Sequence, residues 1–188
     1  ATLELTGAQA DGLTIEGDGN VTLTDVQAGQ DLSGLSVTGD VTVEFDDDTE
    51  TEFTLPASAI SGRTVTVENV DPAGSIDTLT ITGVEESDAA FGDLSVTSGG
   101  GTGDVVLELD STDDTELGAD ADFGITSDGT SGDVTLAISG TGSVTVNANA
   151  NLTGIDAYTV EAGATLELTG AQADGLTIEG DGNVTLTD

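Results

Sequence analysis

The sequence predicts an all-β chain wound as a parallel β-solenoid (β-helix) with irregular coils, and three observations predict it. Apolar and polar residues alternate with period 2 throughout, and no segment carries helical spacing. A cassette recurs, in which a short strand, a glycine-containing corner and a second short strand follow one another. Finally, "ATLELTGAQADGLTIEGDGNVTLTD" runs from Ala1 to Asp25 and again, without one difference, from Ala164 to Asp188. The offset of 163 residues reads as a tandem array, with one repeat unit at 1–163 and the start of the next identical unit at 164–188.

The elements follow in order. In "TLELT", Leu3 and Leu5 point one way while Thr2, Glu4 and Thr6 point the other. "LTIEG" does the same with Leu13 and Ile15, and "VTLTD" with Val21 and Leu23. The cassettes are "GLTIEGDGNVTLTD", "GLSVTGDVTVEF", "AISGRTVTVEN", "DLSVTSGGGTGDVVLELD", "GITSDGTSGDVTLAI" and "YTVEAGATLELTG". Further strands are expected at "TLTITG" and "SVTVN", while "VQAGQDLSG", "TLPASAISG", "ESDAAFGD", "ELGADADFG" and "TGAQADGL" read as connections. The predicted interior is Leu13, Ile15, Val21, Leu23, Leu35, Val37, Val41, Val43 and their counterparts.

An antiparallel β-sandwich, or a string of sandwiches, also fits short strands with frequent turns. The solenoid is preferred because the cassettes recur, the whole unit recurs, and large aromatic anchors are missing. Cassette spacing is uneven, 22 residues from Leu13 to Leu35 but 31 from Leu94 to Ile125. Looped-out corners absorb that difference. Aromatics make up 3% of the chain, so the interior must be narrow and filled by Val, Leu, Ile and Ala.

Charge narrows the function. Thirty-seven acidic residues face one base, Arg63, for a net charge of −36. Such a surface repels nucleic acid and anionic lipid and attracts cations. Cysteine, histidine and methionine are absent, which removes thiol chemistry, disulfides, imidazole acid–base work and the usual zinc sites. No stretch approaches the ~18 apolar residues of a membrane span.

Three site chemistries can be weighed. A glycosidase needs a carboxylate pair in a sugar-lined groove, but the chain offers one tyrosine and four phenylalanines for ring stacking, several of them on interior positions. The sequence therefore predicts no enzyme. "FDDDTETEF" (45–53) and "DSTDDTEL" (110–117) concentrate carboxylates at expected corners. Calcium takes 6–8 oxygens, and Asp46, Asp47, Asp48, Glu50, Asp110, Asp113, Asp114 and Glu116 are the candidate ligands. No EF-hand or calcium-nonapeptide pattern is complete, so a solvated acidic corner and a divalent site both stay open. Threonines in "TLT", "TVT" and "TLTIT" would stack into hydroxyl ladders like an ice-binding face, but Glu and Ser interrupt them, and Thr pairs stabilise sheets without any ligand. Asn20, Asn151 and Asn183 begin N-x-T sequons, sites for glycans in some exported proteins.

On its cassette rhythm, composition and tandem identity, the chain resembles the repetitive β-solenoid segments of bacterial and archaeal surface proteins, such as haemagglutinin-like adhesin stalks and extracellular fibre proteins. The resemblance implies export to the cell surface, an elongated shape, and a part in reach, adhesion or matrix building. The runner-up reading is a calcium-dependent surface adhesin, whose acidic corners recruit metal and whose outer face grips a surface or glycan.

The second copy carries five of the 37 acids (Glu167, Asp174, Glu179, Asp181 and Asp188), leaving 32 acids and one arginine per period, a net of −31. Roughly seven coils at ~4.8 Å give a rise of about 34 Å. The expected rod thus holds on the order of one charge per Å, denser than duplex DNA at one per ~1.7 Å. High salt or divalent cations would relieve the repulsion, so a marine or hypersaline setting is expected. Neither end shows a capping segment, so the expected partner is another copy end to end or more of the same array.

Overall fold

The computed structural model describes residues 1–27, 29–45, 52–57, 65–68, 75–84, 94–97, 103–118, 124–127 and 132–188. The strands are β1 (Thr2–Thr6), β2 (Ile15–Gly17), β3 (Asn20–Val26), β4 (Leu35–Val37), β5 (Val41–Phe45), β6 (Glu52–Pro56), β7 (Val65–Glu68), β8 (Ile76–Val84) and β9 (Leu94–Thr97). There follow β10 (Asp104–Ser111), β11 (Thr115–Leu117), β12 (Ile125–Ser127), β13 (Val134–Gly140), β14 (Ser143–Val146), β15 (Ala157–Val160), β16 (Thr165–Thr169), β17 (Thr177–Glu179) and β18 (Asn183–Thr187). Two one-turn helices, α1 (Gly7–Ala10) and α2 (Gly170–Ala173), occupy the same place in the two copies of the repeated sequence.

Every pairing between the described strands is parallel. The antiparallel sandwich is therefore excluded for these strands. Sheet I runs β1-β3-β5-β7-β9-β12, sheet II runs β6-β8-β10-β13-β15-β17, and sheet III runs β11-β14-β16-β18. β2 pairs with β4 alone. Parallel neighbours cannot be joined by a tight hairpin, so the chain must leave each sheet and return. It does so at variable cost in residues: Thr2 aligns with Asn20, but Leu94 aligns with Ile125. The uneven cassette spacing is thus real variation in the length of that excursion.

The alternation of the sequence becomes columns of stacked side chains. Phe53, Leu79, Leu107, Leu136 and Tyr158 align across sheet II, as do Leu55, Ile81, Leu109, Ile138 and Val160 beside them. All are at most 1% exposed and belong to one continuous apolar cluster fed by all the sheets. Each such side chain contributes on the order of 1.5–3 kcal/mol by leaving water. The predicted interior holds for Val21, Leu23, Leu35, Val37, Val41 and Val43, all buried.

Leu13 departs from the prediction. It is 50% exposed, because the short pair β2–β4 has no described strand beyond β2 to cover it. Its counterpart Leu176, which enters β17 beside β15, packs against the core. The expectation of no helix also fails at α1 and α2. Thr6 Oγ1 accepts from Gln9 N at 3.2 Å while Gln9 Oε1 accepts from Thr6 N at 2.9 Å, and Thr169 with Gln172 repeats the exchange. This capping box is a local signal that one turn suffices to satisfy, too short to register as periodicity. Strands β6 and β11 lay in stretches read as connections. Phe53 and Leu55 are the only inward apolar pair of β6, hemmed by acids and Pro56, and β11 is three residues long. Asp77 is a further surprise: it is buried on the inward phase of β8, aligned with Val105.

Stacking leaves no room at some corners. Gly140, at φ +87°, closes β13, and a Cβ there would overlap the Ser111 carbonyl oxygen of the neighbouring strand. Gly12, at φ +67°, faces open space. Gly140→Ala is expected to cost about 3 kcal/mol, adding a backbone collision to conformational strain, against about 1 kcal/mol for Gly12→Ala. Urea denaturation of both variants checks this, and equal costs would mean the strands are further apart than described.

Candidate functional site

The surface facing away from the core carries most of the acids among the described residues, and the strands set them in register. Across sheet I, Glu4, Thr22, Thr42, Thr66, Ser95 and Thr126 align in one column. Three threonines do stack, but Glu and Ser bound them. Across sheet II, Thr54, Thr80, Glu108, Ala137, Thr159 and Glu179 align in the same way.

Several carboxylates spend their oxygens tying one strand to the next. Glu108 accepts from Thr80 Oγ1 at 3.1 Å on one side and from Ser139 Oγ at 2.6 Å on the other. Glu167 accepts from Thr145 Oγ1 at 3.3 Å. At the corners, Asp11 Oδ1 takes Asp31 N at 2.8 Å, Asp104 Oδ1 takes Asp133 N at 2.8 Å, and Asp156 Oδ2 takes Val134 N at 2.9 Å. Asn20 Oδ1 plays the same part for Asp40 N at 3.2 Å. Each bond joins residues 20 to 31 apart in sequence; those of Asp11, Asn20, Asp104 and Asp156 satisfy backbone N–H groups at or beside the corners, and those of Glu108 and Glu167 tie hydroxyls on neighbouring strands.

A contact within one corner produces a local electrostatic effect. Hydrogen bonds from the Ser33 hydroxyl and the Ser33 backbone N–H hold the Asp31 carboxyl below its usual range. A depressed carboxylate favours the native state above its unfolded pKa and loses that contribution as pH falls through the native one. Acid should therefore loosen this corner.

Of the eight candidate metal ligands, Asp46, Asp47, Asp48 and Glu50 lie outside the described residues. Asp110 is half-buried on β10, Asp113 and Asp114 are exposed in the turn to β11, and Glu116 is exposed on β11. Asp114 Oδ1 accepts from Ser143 N at 3.2 Å, and Glu116 Oε1 from Asn147 Nδ2 at 2.6 Å. The Asp113 backbone carbonyl accepts from Ser111 Oγ at 2.7 Å. Among the described residues no group of three or more acids is gathered as a metal would need. The three sequon asparagines are all exposed; Asn151 Oδ1 accepts from Thr153 N and Thr153 Oγ1. The sequence reading missed the role of the Glu108 and Asp104 carboxylates. For Glu108 the signal was a Thr or Ser on each neighbouring strand, and for Asp104 a backbone N–H beside the next strand, both legible only once the register is known.

Two measurements test this site. Glu108→Ala is expected to lower stability by about 1–3 kcal/mol, because it strands the buried Ser139 hydroxyl. Glu161→Ala, which removes an exposed acid from a surface of net charge −36, should be neutral or stabilising. A stabilising Glu108→Ala would remove the ladder reading. The second measurement uses Tyr158, the sole tyrosine in a chain without tryptophan. Burial pushes its hydroxyl up to about 12. A raised pKa means the native state favours the neutral phenol, so stability is intact below about pH 10 and drains away between 10 and 12. Absorbance near 295 nm should show tyrosinate forming together with unfolding, near pH 12 in buffer and near 10 in urea. Titration near 10 without unfolding would place the ring in solvent.

The described residues hold no helix long and apolar enough to cross a membrane. No family model, curated protein or solved structure matches the chain, so its function is argued from its own sheets, ladders and charge.

Proposed function

We propose that this chain is a segment of a stiff, acidic β-solenoid rod, built from tandem 163-residue units and working outside the cell as a fibre, stalk or matrix filament. Its job is done by length, stiffness and charge rather than by catalysis. The observation that carries this reading is the reciprocal burial of the repeated sequence. Leu3 is 44% exposed whereas its copy Leu166 is buried; Leu23 is buried whereas its copy Leu186 is 59% exposed. The same leucine is buried where strands lie on both sides of it and exposed where one is missing, so burial here is set by stacking of successive strands, the way a column holds together.

Chain order supports closed coils. From β9 onward the chain visits sheets I, II and III in turn through β14. Beyond β14 it returns to the edge of sheet I, where Asn151 bridges to Gly124 just before β12, and then enters β15 of sheet II. Parallel pairing with constant direction of travel makes each circuit add about 4.8 Å. A rod of this kind exposes acids on every side and resists collapse onto itself, which suits a hydrated, extended surface filament.

Electron microscopy of chains carrying one, two and four units tests the reading. A thread whose length grows by roughly 30–35 Å per unit is expected. A string of separate beads would overturn it.

A further inference from the structure

We infer that successive 163-residue units do not sit in line but are turned by one face of the column, so that the surface which receives the next unit takes a copy rotated by a third of a turn. This rests on the solenoid reading above and adds the geometry of its joint.

The inference comes from one sequence placed in two settings. β1 and β3 lie side by side in sheet I, with Thr2 aligned to Asn20 and Thr6 to Thr24. Their copies β16 and β18 keep that register, Thr165 to Asn183 and Thr169 to Thr187, but lie in sheet III. β2 pairs with β4, whereas its copy β17 lies in sheet II against β15. No strand of the second copy returns to the sheet of its first. The local fold of the 25 residues is preserved and its position around the axis is not.

Counting passages through sheet I gives the size of the turn. The chain passes there at β1, β3, β5, β7, β9 and β12, and again where Asn151 bridges to Gly124. Those are six complete circuits. It then crosses sheet II at β15 and reaches sheet III at β16, where the repeat begins again. One period is six and two-thirds coils, a rise of about 32 Å. Three units then make twenty coils, and any surface feature returns to its own face only after about 96 Å.

The receiving ends fit this joint. At the β1 end, a concavity of about 170 Å³ opens between Leu3, Ile15, Val21 and Val37. In the second unit the equivalent place is covered: Leu166 of β16, the copy of Leu3, is buried against β14, with Val144 aligned to it. At the other end, β18 presents Val184 and Leu186, 41% and 59% exposed, where β3 is covered by β5. The occupant of the β18 edge is accordingly the next copy of the Val41–Phe45 strand, carried on sheet III. A filament so joined displays each unit's features on three faces in rotation, a spacing that suits grips from several sides.

Disulfide trapping tests the joint in the chain as it stands, which has no cysteine of its own. Thr145→Cys with Glu167→Cys places thiols on aligned residues of sheet III. Thr153→Cys with Glu167→Cys would be trapped instead if a period held whole coils and β16 stacked on the sheet I passage near Asn151. Thr135→Cys with Ala157→Cys, aligned in sheet II, forms in either arrangement and reports that the stack is intact. The 145–167 and 135–157 bonds are expected. A 153–167 bond, or a 135–157 bond without the 145–167 bond, overturns the turn between units and leaves the rod. Absence of all three overturns the stacked column itself. A chain-traced electron microscopy map of three tandem units gives the independent readout: three copies of "TLELT" on three different faces, against three on one.

Discussion

Leu23→Ala is expected to destabilise the chain by about 3–4 kcal/mol, and Leu186→Ala by less than about 1 kcal/mol, although the 25 residues around the two leucines are identical. Leu23 is covered on both sides, by β1 and by β5, with Leu5 and Val43 as aligned neighbours. Truncating it leaves a cavity that stacked backbones cannot close. Leu186 has Leu168 on one side only and is 59% exposed. The reciprocal pair should invert the order: Leu166→Ala costly, Leu3→Ala cheap. Urea melts of the four variants, compared at equal m-value, decide the matter. Equal costs for Leu23 and Leu186 would show that stacking does not set burial, and with it the column would fall.

The melting temperature is expected to rise by about 10 °C between about 0.01 M and 1 M NaCl. A net charge of −36 is carried by 188 residues, and the Debye length shrinks from about 30 Å to about 3 Å over that range. For a domain of this size, 1 kcal/mol moves Tm by about 2–4 °C, so the rise corresponds to roughly 3 kcal/mol of relieved repulsion. Millimolar CaCl₂ compared with NaCl at matched ionic strength separates screening from bridging. An added gain in calcium would draw attention to Asp113, Asp114 and their neighbours, whose oxygens are only partly spent within the fold. A Tm indifferent to both salts would remove the proposed saline setting.

These two effects oppose each other along the whole molecule. Columns of Leu, Val and Ile pull the strands together, while carboxylates on the outward phase push them apart. Glu108 shows one accommodation: flanked by Thr80 and Ser139, it faces hydroxyl donors on the adjacent strands rather than other acids. Where Glu108 and Glu167 meet Thr or Ser on a neighbouring parallel strand, the charge finds a donor and the acid becomes a rung.

The sequence by itself determined most of the strands and their inward faces, β6, β11 and Leu13 apart, because period-2 alternation is a local property that survives in any sheet. It also determined the repeat and the sign of the surface. The capping box of Thr6 and Gln9 was local as well, though one turn long and easily passed over. Tertiary structure decided which copy of a leucine is buried, since Leu23 and Leu186 sit in the same 25 residues and differ in whether a strand lies on both sides of them. It alone decided that every described pair is parallel, that Asp77 points inward, and that the repeat returns on a different sheet. Those outcomes depend on how many residues separate one parallel strand from its neighbour, from Thr2–Asn20 to Leu94–Ile125. That length is set by corners whose geometry no alternation encodes.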